Sequence, residues 1–204
     1  MAFLRNVLLF SLAGLLPVLV LYIALSPGFT TALAGGGPAL GRFLRQVLPN
    51  GLPVVVMVNY VGFFLFALSH ERSGSGRGRD PGAYIVVDFF SRLGIFIGLH
   101  ALIYVVSADW YGSFGGSRAT ALQVVAPTLA RSALFENISG VYLYATLVSA
   151  IPLYVSAACR SSRLAPVVRF FPEPIGSVAF ALLIFVAGAA CLTALATVFV
   201  RLEA

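Results

Sequence analysis

Apolar residues in this chain are gathered into five long runs, and polar residues stand mainly between them. The runs cover residues 7–26, 52–69, 83–106, 138–158 and 177–200. About 20 apolar residues in an α-helix cross the hydrocarbon core of a bilayer, because each residue rises ~1.5 Å. The alternation of apolar and polar residues that marks a membrane β-barrel is absent from the sequence. The pattern therefore predicts an all-α, polytopic membrane bundle of about five transmembrane helices in a single domain.

Two further stretches between the predicted spans are also helical in pattern. Residues 39–48 place their large apolar side chains on one side of a helix, and residues 119–135 are largely apolar but broken by Pro127. Amphipathic helices of this kind lie in the interface between headgroups and hydrocarbon. We predict two short interfacial helices in the outer loops. For residues 119–135 the alternative is a re-entrant segment buried in protein.

The composition excludes several classes of protein. The 204 residues are 60% hydrophobic and only 10% charged, with a mean hydropathy of +0.98. A soluble domain is about half apolar and about one quarter charged. A disordered chain, a disulfide-stapled secreted domain and an ordinary soluble enzyme are therefore excluded. The two cysteines, Cys159 and Cys191, are predicted at different depths, so no disulfide is expected.

All thirteen basic residues are arginines, and the formal net charge is +6. The arginines lie singly or in small groups between apolar runs, which favours lipid headgroups over nucleic acid as their partner. We predict the bilayer as a partner and no nucleic acid. The arginines expected to contact headgroups are Arg72, Arg77, Arg79, Arg160, Arg163 and Arg169.

The distribution of arginines also predicts an orientation. If the N-terminus is cytoplasmic, seven arginines fall in inner segments and five in outer ones, and both dense short loops lie inside. Positive charge is retained on the cytoplasmic side, so this orientation is favoured. The first apolar run, Val7 to Leu25, is long for a signal peptide and is expected to remain as an uncleaved first helix. Exclusive use of arginine indicates a GC-rich genome, and the predicted location is the inner membrane of a bacterium.

Four polar residues within the predicted spans are candidates for function. Charged groups inside a bilayer are costly, so Asp88, Arg92 and His100 in the third run are candidates for a proton or ion path, for a ligand site or for a partner interface. The alternative is a structural ion pair between Asp88 and Arg92, which are four residues apart. Asn59 in the second run either bonds a neighbouring helix or contacts a substrate. The fourth span carries several polar side chains, which either line a cavity or pack and form hydrogen bonds within the bundle. They are Tyr142, Tyr144, Thr146, Ser149 and Tyr154.

The last predicted span is rich in small residues, which allow close approach of a second helix. The helix-packing set comprises Ala187, Gly188, Cys191 and Ala194. Such a face serves either packing within the chain or contact with another subunit. Asp80 and Pro81 precede the third span, where Asp80 is expected to cap the helix.

The chemistry that the sequence lacks shapes the predicted function. It contains no HExxH, nucleophile-elbow or phosphate-loop motif, and we predict no catalytic residue, metal site or cofactor. A single-histidine pigment or haem at His100 is one alternative. The leading hypothesis is a non-catalytic accessory, assembly or structural subunit of a larger membrane complex, so other membrane subunits or further copies of itself are expected partners. The alternatives are a small oligomeric transporter or channel that uses Asp88, Arg92 and His100, and a lipid-modifying membrane enzyme.

Overall fold

The structure is a computed structural model that describes residues 1–26, 28–35, 37–73, 80–106 and 118–203. This part of the chain consists of helices and short turns. The helices are α1 (Ala2–Leu25), α2 (Phe29–Ala34), α3 (Pro38–Arg45), α4 (Leu52–Ser73), α5 (Ala83–Val106), α6 (Arg118–Ala133), α7 (Ile138–Arg160), α8 (Ala165–Val168) and α9 (Ile175–Glu203).

Within the described residues, five helical segments are long and apolar enough to cross a bilayer, which confirms the predicted all-α membrane bundle. They are Ala2–Leu25, Pro38–Ser69, Ala83–Val106, Ile138–Arg160 and Ile175–Leu202. The chain is thus a multi-pass membrane protein. The bounds of α5 are those predicted from the sequence, whereas α1 and α9 each begin earlier than their apolar runs suggested.

The two ends of the bundle can be named by residues that lie there. Asp80 lies just before α5 and meets the turn that follows α7, and we call this side the Asp80 end. The beginnings of α1, α5 and α9 lie here, together with the ends of α4 and α7. His100 lies in the second half of α5, near the beginnings of α4 and α7, and this side is the His100 end.

Residues 39–48 do form a helix, but it is not separate from the second span. A π-helical turn over Gln46–Gly51 joins α3 directly to α4, so the helical backbone is continuous from Pro38 to Ser73. Pro49 within this turn lacks an N–H, and its ring would clash with a carbonyl one turn earlier in a regular α-helix. The wider π turn accommodates it. The predicted helix is therefore present, and it continues directly into the second span.

The predicted stretch 119–135 forms α6 over Arg118–Ala133, and Pro127 lies within this helix rather than breaking it. The helix packs against α5, α7 and α9, and most of its described side chains are exposed or only partly buried. It ends in a Schellman motif: the Glu136 amide donates to the Arg131 carbonyl, and Phe135 has a positive φ of 62°. The Phe135 ring stacks edge-on against Tyr22 and Tyr144, which holds this strained turn in place.

The core of the bundle is built around α7. This helix contacts α1, α4, α5, α6 and α9. In its most apolar stretch of 18 residues, 61% of the residues are buried. Its most extensive contact is with α1, where Gly14 lies against the backbone of α7. In the most apolar stretch of 18 residues in α9, only 11% of the residues are buried. The last span is therefore the least enclosed of the five.

Candidate functional site

Asp88 and Arg92 meet in the interior of the bundle. The Arg92 Nε donates to Asp88 Oδ2 at 2.6 Å, and their side chains are 0% and 3% exposed. The pair occupies successive turns of α5, as their spacing of four residues predicts. Full burial shows that Arg92 does not extend to the headgroups but stays among the helices.

Arg92 also joins α5 to two other spans. Its Nη1 donates to Asn59 Oδ1 at 2.6 Å and to the Thr146 carbonyl of α7 at 3.3 Å. Asn59 in turn donates from Nδ2 to Ser11 Oγ of α1 at 2.9 Å. The Ser11 hydroxyl donates a hydrogen bond to the Val7 carbonyl at 2.7 Å. Asn59 therefore acts as a hydrogen-bonded link between α1, α4 and α5.

Asp88 is also held by α7. The Tyr154 hydroxyl donates to Asp88 Oδ2 at 2.5 Å, and Tyr154 is 1% exposed. We call this set the Arg92 network; it consists of Ser11, Asn59, Asp88, Arg92, Thr146 and Tyr154. It ties together α1, α4, α5 and α7, four of the five spans.

The space for the Arg92 guanidinium is made by two residues of α4. A Cβ at Gly62 would lie 2.7 Å from Arg92 Cζ, so only glycine leaves room there. The Phe63 ring lies beneath the same cation, with its centroid 4.6 Å from Cζ. A cation over an aromatic face is attracted by the ring quadrupole, most strongly where water is excluded. The site is therefore shaped for an arginine in this orientation.

Two atoms of the Arg92 network have no hydrogen-bond partner among the described residues: Asp88 Oδ1 and Arg92 Nη2. Asp88 borders a pocket of about 20 Å³, which also touches Ser69, Tyr84 and Ser91 near the Asp80 end. A pocket of this size holds about one water molecule. The Arg92 network is therefore a buried ion pair with most of its hydrogen bonds formed, and there is room for a single water beside Asp88.

The structure does not bring His100 into the Arg92 network. Its Nδ1 lies 2.9 Å from the Phe96 carbonyl, and because a carbonyl only accepts, Nδ1 carries the hydrogen. In the neutral ring, Nε2 is then an acceptor. Successive i+4 steps along a helix drift by ~40°, which turns His100 away from the side that carries Arg92.

His100 instead lines a large pocket at the other end of the bundle. The pocket has a volume of about 820 Å³ and lies between α4, α5, α6 and α7. Its polar lining consists of Gln46, Asn50, His100, Tyr104, Thr128, Asn137, Ser139 and Tyr142. Asn137 is committed to structure, since its side chain caps α7 and bonds Ser132 and the Thr128 carbonyl. A polar ligand at this end would meet His100 and hydroxyl or amide groups.

Asp80 forms a second polar cluster, which sequence reasoning placed only as a helix cap. As expected of a helix cap, Asp80 Oδ1 accepts a hydrogen bond from the Gly82 amide at 2.8 Å. It also accepts hydrogen bonds from the hydroxyls of Ser161 and Ser162, the latter at 2.6 Å, and so fastens the start of α5 to the turn after α7. Hydrogen bonds from Ser161, Ser162 and Gly82 hold the pKa of Asp80 well below its ordinary value.

This lowered pKa makes the Asp80 contact sensitive to acid. Stabilisation by a carboxylate with a depressed pKa is fully present above the unfolded-state pKa of about 4, and it is lost as the pH falls through the folded-state pKa. We expect Asp80→Asn to lower the thermal midpoint by a constant amount between pH 7 and 5. Below about pH 4 the difference from the wild type shrinks. Thermal unfolding in one detergent across this pH series measures it, and a difference that grows in acid contradicts the assignment.

The arginines predicted at headgroups lie in several places. Arg160, Arg163 and Arg169 are exposed around the turn and short helix that follow α7, at the Asp80 end. Arg160 Nε donates to the Ser156 carbonyl at 3.1 Å. Arg72 belongs to the last turn of α4. Arg77 and Arg79 lie outside the described residues.

The small residues of α9 divide between two sides of the helix. Gly188 faces the bundle, where an added Cβ would lie 3.3 Å from the Phe89 ring, and Cys191 is partly buried. Ala187 and Ala194 point outward, together with Ala190 and Thr197. Only part of the predicted packing set therefore serves contacts within this chain.

Sequence reasoning gave no role to Ser11, which is a single hydroxyl in an otherwise apolar first span. Thr146 and Tyr154 belonged to a polar group on the fourth span without individual partners. Among the described residues, no group of three His, Cys, Asp or Glu side chains is placed to hold a metal ion.

The chain matches no protein-family model, and no match was found among curated proteins or solved structures.

Proposed function

We propose that this protein is a non-catalytic subunit of a larger membrane complex. One observation carries the proposal: the buried charges of Asp88 and Arg92 are paired inside the protomer, while α9 is attached by apolar contacts and presents small residues outward. The side-chain hydrogen bonds of α9 in the described part of the chain reach only Glu173 and its own Thr193 carbonyl. The Arg92 network gives four spans a fixed arrangement, and α9 offers a surface to a partner.

The outward surface of α9 carries small residues among its large apolar ones. Ala187, Ala190 and Ala194 are exposed along one side of this helix, with Thr197 one turn further. Small side chains allow a second helix to approach closely, and van der Waals contact then replaces contact with flexible lipid chains. We call these four residues the α9 face. It is suited to docking a transmembrane helix of another subunit.

The proposed setting is the inner membrane of a bacterium, with the N-terminus in the cytoplasm. In this orientation the Asp80 end is cytoplasmic. Arg160, Arg163 and Arg169 are exposed at that end, as expected for arginines near anionic headgroups.

The pocket at His100 favours a second candidate, a small oligomeric transporter. Its volume of about 820 Å³ and its polar lining suit a small ligand. In the described structure this pocket does not include Asp88 or Arg92, so the three residues do not line one cavity. A transporter of this type would work as an assembly of identical chains, which separates it experimentally from a subunit of a mixed complex.

Site-specific photo-crosslinking in native membranes tests the proposal. A photo-crosslinking amino acid replaces Ala190 or Ala194 on the α9 face, and the control replaces Leu16, which is 59% exposed on α1. We expect both α9 positions to capture one and the same partner, a membrane protein other than this chain. Position 16 should capture no protein. Capture of a second copy of this chain alone would support the transporter instead.

A further inference from the structure

A groove between α1, α4 and α7 is open to the bilayer near the Asp80 end. Its volume is about 410 Å³. The apolar wall is formed by Phe3, Phe10, Phe63, Phe66, Pro152 and Leu153. The groove is thus enclosed by three spans, in contrast to the outer face of a single helix.

The polar lining of the groove includes Asn6, Ser156 and Arg160. Asn6 is in the first turns of α1 and Arg160 is the last residue of α7, so these groups lie at the level where the helices leave the hydrocarbon. The bond from Arg160 Nε to the Ser156 carbonyl directs the side chain along the end of its own helix. The groove is therefore apolar toward the membrane centre and cationic at its mouth.

We infer that this groove binds one anionic phospholipid, with an acyl chain along the apolar wall and the phosphate at Arg160. The charge of the guanidinium selects a negatively charged headgroup, and hydrogen bonds to a phosphate are of the strong, charge-assisted kind. The volume lies in the range of ligand-binding pockets in proteins. The direction of the groove, from a cationic end toward the bilayer centre, matches the direction of a lipid in its leaflet.

The bound lipid would also adjoin the Arg92 network. Phe63 lines the groove, and its ring is the one that lies beneath the Arg92 guanidinium. An acyl chain against this ring would keep water from the cation. The proposed lipid is therefore a part of the packing around the network, and this site is independent of any partner at the α9 face.

Native mass spectrometry of the purified full chain tests the inference. The protein in detergent is titrated with phosphatidylglycerol and, separately, with phosphatidylcholine of the same acyl chains. We expect phosphatidylglycerol to be retained at lower concentration. Arg160→Gln should weaken its retention about tenfold, since charge-assisted hydrogen bonds are removed. Arg201→Gln removes an exposed arginine in the last turn of α9, which does not line the groove, and should leave retention unaltered.

A second pair of variants tests the apolar part of the groove. Ala67 is exposed and lines it, so Ala67→Phe should fill the space and weaken phosphatidylglycerol binding. Ala187→Phe adds the same bulk on the exposed side of α9 and should not. Equal retention of both lipids, or equal losses from Arg160→Gln and Arg201→Gln, would show adventitious surface lipid only and overturn the inference. An unchanged affinity in Ala67→Phe would also overturn it.

Discussion

Arg92→Met is expected to lower the free energy of unfolding by about 3 to 5 kcal/mol, because it leaves one member of a buried ion pair without its partner. Asp88 would retain only the hydrogen bond from Tyr154, and Asn59 would lose the donor to its side-chain oxygen. Arg92→Lys should not restore stability, since one ammonium group cannot reproduce separate bonds from Nε and Nη1. Titration from a mild detergent into sodium dodecyl sulfate measures the change.

The matched control for this experiment is Arg163→Met, at an exposed arginine near the end of α7. It removes the same charge and adds the same side chain, yet it should alter stability little. The double variant Asp88→Leu/Arg92→Met removes both buried charges and should recover much of the loss. If Arg92→Met and Arg163→Met unfold alike, the Arg92 network does not hold the spans together.

Gly14→Ala is expected to destabilise the protein by about 1 to 3 kcal/mol, because it overpacks the contact between α1 and α7. A Cβ at this position would lie 2.2 Å from Ser149 Oγ and 2.6 Å from the Ala145 carbonyl oxygen. The hydroxyl can rotate, but the carbonyl belongs to the backbone of α7. The two helices would have to move apart, and the same detergent titration would show the loss.

Gly98→Ala provides the comparison for Gly14→Ala. Gly98 is exposed on α5, and no atom lies within 4 Å of an added Cβ. Alanine is the better helix former, so this change should be neutral or should stabilise the protein by up to about 1 kcal/mol. A similar loss in both variants would mean that the close approach of α1 and α7 does not determine stability.

The spans were predictable because a bilayer imposes one solution on a long apolar run. Lipid offers no partner to the backbone, so the chain must form helices over the thickness of the hydrocarbon. The bounds of α5 agree with prediction, aided by Asp80 and Pro81 before it. The continuous helix through Gln46–Gly51 was not predictable, since Pro49 and Gly51 are usual signals for the end of a helix.

The interior site was predictable only where its members share one helix. The pair of Asp88 and Arg92 follows from their spacing. His100 was grouped with them in the sequence analysis, and the structure places it at the other end of the bundle. The contacts that Arg92 makes with Asn59 and Thr146 depend on which spans are neighbours. The bonds from Ser161 and Ser162 to Asp80 depend likewise on two loops that are distant in sequence.

The division of labour among the spans connects the fold to the proposed function. Hydrogen bonds between helices fix α1, α4, α5 and α7 relative to each other. In the described structure α9 takes no part in these bonds, so its outer surface can contact another chain without disturbing the network. A subunit needs this combination of a rigid interior and an available face.

Photo-crosslinking from position 190 tests the central claim most directly, because it reports what lies against the α9 face in the native membrane. The account predicts one crosslinked product that contains this chain and a different membrane protein. The same product should form from position 194 and should be absent from position 16 on α1. Equal capture from positions 190 and 16, or capture of lipid alone at all three positions, would contradict the assignment of this protein as a subunit of a larger complex.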